Sequence, residues 1–524
     1  MIWLLACTQP PVADPAPDTQ VVQEHWVELD APRLLRRMSL DLRGVLPTQA
    51  ELDAVEADPT QLDALRAQYL DDARLEDRLV DVLGQRWHTQ IDEYLFQYAE
   101  YGEYWAEGVP EYAFERSVGN EPLHLMARVV VEDRPWSDVV TADTTVANEL
   151  LGGVWPLDYP DGETGWREVS YTDGRPAAGV LSTNGLWWRY FTTVTNYNRG
   201  RAALLSRQLV CVDFVGRPVD LDQAPSLSEG ADLEQALRTE PYCQGCHAAL
   251  DPIAATLFGF WTQNEHSRPE YEVYHPEREP QGALLMDVEP AWFGQPVDGL
   301  EGLGQAIAAD PRFDACAVES FAEMVWRRPV APDDAERLAE LQQVYDDGGG
   351  RIKPLLAALT QTPEYTAAEQ PAHTDTDQGV VRLMSPQLLS SSVHGATGFE
   401  WMWQGYDQLD NSVEGYRTLG GGVDGEYVTQ AQRVPSASQL LVVRRVAEAA
   451  GTHAVETGQL LGPTDDVEAW VARRYWQLTA VRPSDDQVAD LVALYRVIDD
   501  VDGSDAAAAA LISAMLQDPE FWTW

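Results

Sequence analysis

Cys243-Gln244-Gly245-Cys246-His247 is the run whose residue types and spacing carry the most specific chemistry in the sequence. Two thiols one helical turn apart can add across the two vinyl groups of haem, and the adjacent His247 then falls beneath the iron as proximal ligand. A metal-bound imidazole is oriented by a hydrogen bond from its other ring nitrogen, and the backbone carbonyl of Pro252 is the expected acceptor. The apolar run 250–261 is expected to cover one haem face. Met286, in the expected loop Gly282-Ala283-Leu284-Leu285-Met286-Asp287, is the first candidate for sixth ligand, and its thioether would raise the potential. His266 and His275 are the rivals and would lower it. An open iron position would instead permit peroxide or small-gas chemistry. The cofactor expected is one covalent haem c.

Three other uses of the motif stay open. Zinc would need further ligands, which His266 and His275 could supply. A thioredoxin-like redox pair needs a βαβ setting that the sequence lacks. A plain disulfide or free dithiol needs nothing more. Of the five cysteines, Cys211 and Cys316 are the natural disulfide partners if haem consumes the CxxC pair, although two separate buried thiols remain an alternative. Closing their loop of ~105 residues would contribute about 4–5 kcal/mol in the chain-entropy model. There is no GxSxG elbow, P-loop, HExxH, or GxGxxG following a strand, so no catalytic residue is assigned.

Compartment follows from the first residues. Leu4-Leu5-Ala6-Cys7 resembles a bacterial lipobox, and residues 8–29 read as a flexible tether rich in Pro, Ala and Asp. The segment 1–7 lacks a basic n-region and its apolar stretch is short. It is read as a truncated lipoprotein signal with Cys7 as the lipidation site, incidental occurrence being the alternative. No window of ~18 uninterrupted apolar residues exists elsewhere, so a lipid anchor is the expected membrane attachment, at the outer membrane and facing the periplasm or cell surface. The chain carries 85 acidic against 36 basic residues, a net charge of −49. That balance repels phosphate backbones and sets nucleic-acid binding aside. Tryptophan is plentiful, at 18 residues. Clusters such as Trp187-Trp188, Trp401-Met402-Trp403 and Trp522-Thr523-Trp524 suit either helix packing or sugar stacking.

Helical periodicity dominates, and the expected class is mainly α: a multi-domain helical protein with a haem-binding segment and irregular loops. From Arg33 a helix runs to Arg43-Gly44, and Thr48 with Glu51 forms a capping box that restarts the chain. The device recurs after Arg328-Pro329 with Asp333 and Glu336, and after Arg482-Pro483 with Ser484 and Gln487. These two copies close on Pro363-Glu364-Tyr365 and Pro519-Glu520-Phe521, marking a structural helical-hairpin repeat. Residues 159–175 read as an irregular loop. The expected organisation is an N-terminal helical domain (30–200), a CxxCH domain with a closing hairpin (201–366), a linker (367–379) and a C-terminal helical domain (380–524).

Pro241-Tyr242-Cys243-Gln244-Gly245-Cys246-His247-Ala248-Ala249-Leu250-Asp251-Pro252 resembles the signature of large planctomycete- and myxobacterial-type cytochrome c-like proteins built from domains of unknown function. Ala178-Gly179-Val180-Leu181-Ser182-Thr183, Asn196-Tyr197-Asn198-Arg199-Gly200-Arg201 and Leu209-Val210-Cys211 resemble the stretch that precedes it. Phe313-Asp314-Ala315-Cys316 leading to Trp326-Arg327-Arg328-Pro329 resembles the stretch that follows, and its cysteine supports the Cys211–Cys316 pairing. Other segments are similar to further modules of the same set: Arg36-Arg37-Met38-Ser39-Leu40-Asp41-Leu42, Gln85-Arg86-Trp87-His88 and Arg382-Leu383-Met384-Ser385-Pro386. After the signature this chain reads Phe258-Gly259-Phe260-Trp261, where relatives carry an acidic-Asn-Phe-Asp-like segment.

Three functions follow as expectations. The first is electron transfer at the cell envelope with a redox partner protein. The second is a non-enzymatic surface binding or assembly lipoprotein whose CxxCH is structural or binds zinc. The third is a haem enzyme acting on peroxide.

Overall fold

The computed structural model describes residues 26–94, 102–216, 233–261, 272–369, 380–459, 462 and 466–524. Cys7, His266 and residues 8–25 of the expected tether lie outside them. The class is mainly α, as expected. Among the described residues strands form only four antiparallel ribbons: β1 (Val27–Glu28) with β6 (Ala367–Glu369), β2 (Thr145–Ala147) with β3 (Arg167–Val169), β4 (Ala291–Trp292) with β5 (Gln295–Pro296), and β7 (Met402–Trp403) with β8 (Tyr406–Asp407). The ends of the expected tether and the start of the expected linker are therefore strand partners.

Helix α1 (Ala31–Arg43) begins at Asp30, whose carboxylate accepts from the Arg33 amide at 3.0 Å, and ends at Gly44 in the left-handed region. Gly44 tolerates that φ of 67° because it has no Cβ. Thr48 and Glu51 then form the expected reciprocal cap. Helix α2 (Arg74–Trp87) packs beside α1 and α3 (Glu111–Val131) packs on α2, and α4 (Arg199–Val210), α5 (Pro241–Ala255), α6 (Glu279–Met286) and α7 (Pro311–Trp326) follow. One apolar core runs through all of these, from Leu34 to Tyr365. The boundary expected at 200/201 falls inside α4.

The hairpin repeat is present in both places. The first copy is α8 (Ala335–Asp347) and α9 (Ile352–Leu359). After α10 (Pro386–Thr397), α11 (Ala437–Glu456) and α12 (Val467–Thr479) comes the second, α13 (Asp485–Asp502) and α14 (Ser504–Gln517). Ser484 and Gln487 cap α13 reciprocally, as expected. The first copy differs from expectation. Asp334, not Asp333, accepts from the Ala331 amide at 2.7 Å, and the Arg328 guanidinium grips the same carboxylate. An arginine two residues before the turn selects the acid it can reach. Each copy is closed by a side-chain bond to the residue before its final proline: Trp326 Nε1 to Thr362 Oγ1 at 3.0 Å, and Tyr475 Oη to Asp518 Oδ2 at 3.0 Å.

Helix α1 joins the two copies. Leu34, Leu35, Met38 and Leu42 enter the central core, while Leu40 enters the C-terminal core with Leu388, Val446 and Leu511. Arg36 and Arg37, 2% and 1% exposed, donate to backbone carbonyls at equivalent points of the two repeats. Arg37 reaches Tyr365 at 2.6 Å and Ala367 at 3.0 Å, and Arg36 reaches Phe521 and, at 2.8 Å, Thr523. Buried guanidinium groups are tolerated because their N–H groups find fixed acceptors. Burial still pushes Arg36 down to about 10 and Arg37 to about 9, Arg382 adding to the latter. Most tryptophans pack inside: Trp187, Trp188 and Trp522 are buried, whereas Trp403, in the β7–β8 ribbon, is half exposed.

Candidate functional site

Helix α5 starts with Pro241 at its first turn, where a missing amide costs nothing. Cys243, Cys246 and His247 follow on one face at three- and four-residue spacing. Leu250, Asp251 and Ala254 continue that face into the core, where they are buried. The cysteines are half-buried and not bonded to each other.

His247 is held from behind. Its Nδ1 lies 2.9 Å from Asp251 Oδ1, one turn along the helix. Because a carboxylate only accepts, Nδ1 carries a proton, and in the neutral imidazole Nε2 is the nitrogen that presents a lone pair. This corrects the expected acceptor: the side chain of Asp251 takes the place assigned to the carbonyl of Pro252. A helical residue four positions on shares the face, whereas a carbonyl five on is committed along the helix axis. Asp251 is 6% exposed and is gripped by Arg199 from the start of α4, at 2.8 and 3.1 Å. Burial alone would raise this carboxyl, but the His247 hydrogen bond and the Arg199 guanidinium hold it below its ordinary value.

The segment around Arg199 buttresses both ends of the site. Arg201 donates to the Phe260 carbonyl at 2.7 Å and to the Tyr190 carbonyl at 2.7 Å. Tyr197 packs on Phe258 and Trp261, at ring separations of 6.3 and 6.2 Å. The apolar residues of 250–261, expected against haem, are themselves part of the central core.

Met286 lies in no loop: it ends helix α6, 1% exposed in the central core. Gly282 sits on the backbone of Ala255, where a Cβ would come within 2.2 Å of a carbonyl oxygen. Arg238, just ahead of α5, donates to the Leu285 carbonyl at 3.3 Å and pairs with Asp287 at 3.6 Å. Helix α6 thus runs back along α5, bringing its Met286 end toward the start of α5. His275 is engaged with Glu277 at 3.1 Å. Among the described residues no group of three or more His, Cys, Asp or Glu is arranged to hold a metal ion, so His275 does not join Cys243 and Cys246 in a zinc site there.

Cys211 and Cys316 are paired, with a Cα separation of 5.3 Å. The bond joins the left-handed cap of α4 to α7. Asp251 and Arg199 are the residues that sequence reasoning left without a role. The four-residue step from His247 was a usable signal for Asp251, whereas Arg199 lies 52 residues away from its partner. Among the described residues no helix is long and apolar enough to cross a membrane.

Residues 293–365, which include Cys316 and the first hairpin copy, match a family model described as a protein of unknown function (DUF1585). No curated protein and no solved structure matches the chain.

Proposed function

We propose that the chain is an exported c-type haem protein that transfers electrons at the cell envelope. The observation that carries this reading is the single face of α5 that presents two unbonded thiols and an imidazole whose Nδ1 is already taken by Asp251. The residues fit the group: Cys243 and Cys246 would hold haem as thioethers, and His247 would offer Nε2 to its iron. Bound there, haem supplies a one-electron couple. Asp251 fixes the imidazole tautomer and ring plane, and Arg199 keeps that carboxylate ionised. A carboxylate makes His247 a more basic donor than a carbonyl would, which favours a lower potential. The Cys211–Cys316 bond suits an oxidising compartment, in line with lipid anchoring through Cys7. A partner protein would receive the electron.

The test is expression with cytochrome c maturation machinery in the periplasm, followed by intact mass and a pyridine haemochrome spectrum. The expected mass includes one haem, and Cys243→Ser or Cys246→Ser leaves at most one thioether. An exported chain without the haem increment overturns the proposal. In the loaded protein, D251N should keep the haem and raise the midpoint potential. An immediate Soret shift with carbon monoxide or cyanide would mark an open position and favour the peroxide enzyme over electron transfer through a Met286-ligated iron.

A further inference from the structure

The two hairpin repeats are closed differently on one face. Counted from their shared tryptophans, Trp326 and Trp476, Met324 of α7 and Arg474 of α12 hold the same place two residues upstream. Counted from their final prolines, Pro363 and Pro519, Leu356 of α9 and Ile512 of α14 hold the same place, as do Thr360 and Leu516. In the first copy Met324, Leu356 and Thr360 line a space of about 30 Å³, walled on its other side by Leu42 of α1 and by Leu75 and Leu79 of α2. In the second copy Arg474, Ile512 and Leu516 line a cavity of about 290 Å³, bounded beyond the repeat by residues 45–48, Arg74 and the end of α10 at residues 395–397. The place that a thioether and packed leucines fill in one copy is open in the other, and there it carries a guanidinium.

The walls of the larger cavity are apolar: Trp470, Leu478, Ile512, Met515 and Leu516 are buried, and Leu46 completes them. Its polar groups are few, and most are engaged. Thr48 bonds with Glu51, Thr397 donates to the Val393 carbonyl at 2.7 Å, and Arg74 is gripped by Asp72 at 2.8 Å. Arg474 and Gln477 remain. Arg474 donates to Gln477 Oε1 at 2.7 Å and lies over the Trp470 ring at 5.9 Å, but it makes no ion pair among the described residues. Burial holds its guanidinium below the ordinary value, and the neighbouring Arg473 adds to this. A half-buried cation is costly until an anion meets it, and a guanidinium fork matches a carboxylate two oxygens at a time. An apolar body with a single anionic end is the ligand that such a lining selects. At ~30 Å³ for each water-sized group, the cavity holds about ten non-hydrogen atoms.

We propose that this cavity binds an amphiphilic monocarboxylate of medium chain length, its chain among Leu478, Ile512 and Leu516 and its carboxylate on Arg474. The inference is independent of haem. Residues 45–48 and Arg74 come from the N-terminal half and the other walls from the C-terminal helices, so ligand should raise the melting temperature of the whole chain. The test is calorimetric titration of the full chain with octanoate, beside octanol, which lacks the charge, and butanoate, which lacks the chain length. Saturable octanoate binding at least about tenfold tighter than either is expected. R474Q should lower octanoate affinity about tenfold and leave that of octanol within about twofold. Gly395 on α10 lines the cavity, and a Cβ there would meet nothing within 4 Å. G395F should therefore fold, occupy the space and abolish binding of both. Absence of octanoate binding overturns the proposal, as does unchanged octanoate affinity in folded R474Q or in G395F. Octanol binding as tightly as octanoate would refute a carboxylate site.

Discussion

His247 and Asp251 show how a single side chain settles what a motif can do. CxxCH specifies which atoms are available, but the tautomer of His247 is decided by a carboxylate one turn away and by the arginine that holds it. That i,i+4 step was legible from helical spacing, and the nearby proline obscured it. Arg199 offered no local cue, because its partner is reached only through packing of α4 on α5. Glu115 is a second residue whose surroundings dominate its chemistry. Burial, reinforced by Glu111 and Asp92, raises its carboxyl to about 8. The folded state therefore holds a proton that the unfolded chain releases near 4.5, and stability falls as pH rises from about 5 to 8. E115Q, which cannot ionise, should lose that slope and be more stable than the parent at pH 8 by roughly 3 kcal/mol, with little difference at pH 5. Chemical denaturation at the two pH values checks this, and equal slopes would refute it.

At the scale of elements, the caps and hairpins were written locally and so could be read. Thr48 with Glu51 and Ser484 with Gln487 depend only on residues three apart. The Asp333 cap misled because the deciding partner, Arg328, acts across the turn rather than along the helix. The 200/201 boundary misled for a related reason. No composition shift marks α4, yet the helix spans that point and belongs to one core. The Cys211–Cys316 bond pins this same helix to α7. C211S/C316S should lower stability by about 2–5 kcal/mol, and reduction of the parent should lower its melting temperature by a matching amount. A parent insensitive to reductant under unfolding conditions would show the thiols unbonded.

For the whole molecule, what the sequence concealed is the joint. Two repeats were visible as repeats, and Arg36-Arg37 was visible as a motif. That adjacent arginines serve equivalent carbonyls of the two copies depends on contacts more than 300 residues apart in the chain. The consequence is mutual dependence. A chain ended at residue 369 would uncover Leu40 and strip Arg36 of every carbonyl it donates to. It should give little monomer on size exclusion and a melting temperature well below the parent, whereas an independent C-terminal domain would leave both unchanged.

The β1–β6 ribbon gives this joint a mechanical meaning. Val27 and Glu28 pair with Glu369 and Ala367, and α1 begins directly after Leu29 and Asp30. Any tension along residues 1–25, whatever holds them, enters the body through that ribbon and reaches α1 first. The arginine pair there divides the load between the ends of both hairpin repeats, so a pull on the leading segment is borne by the two halves together rather than by whichever is nearer.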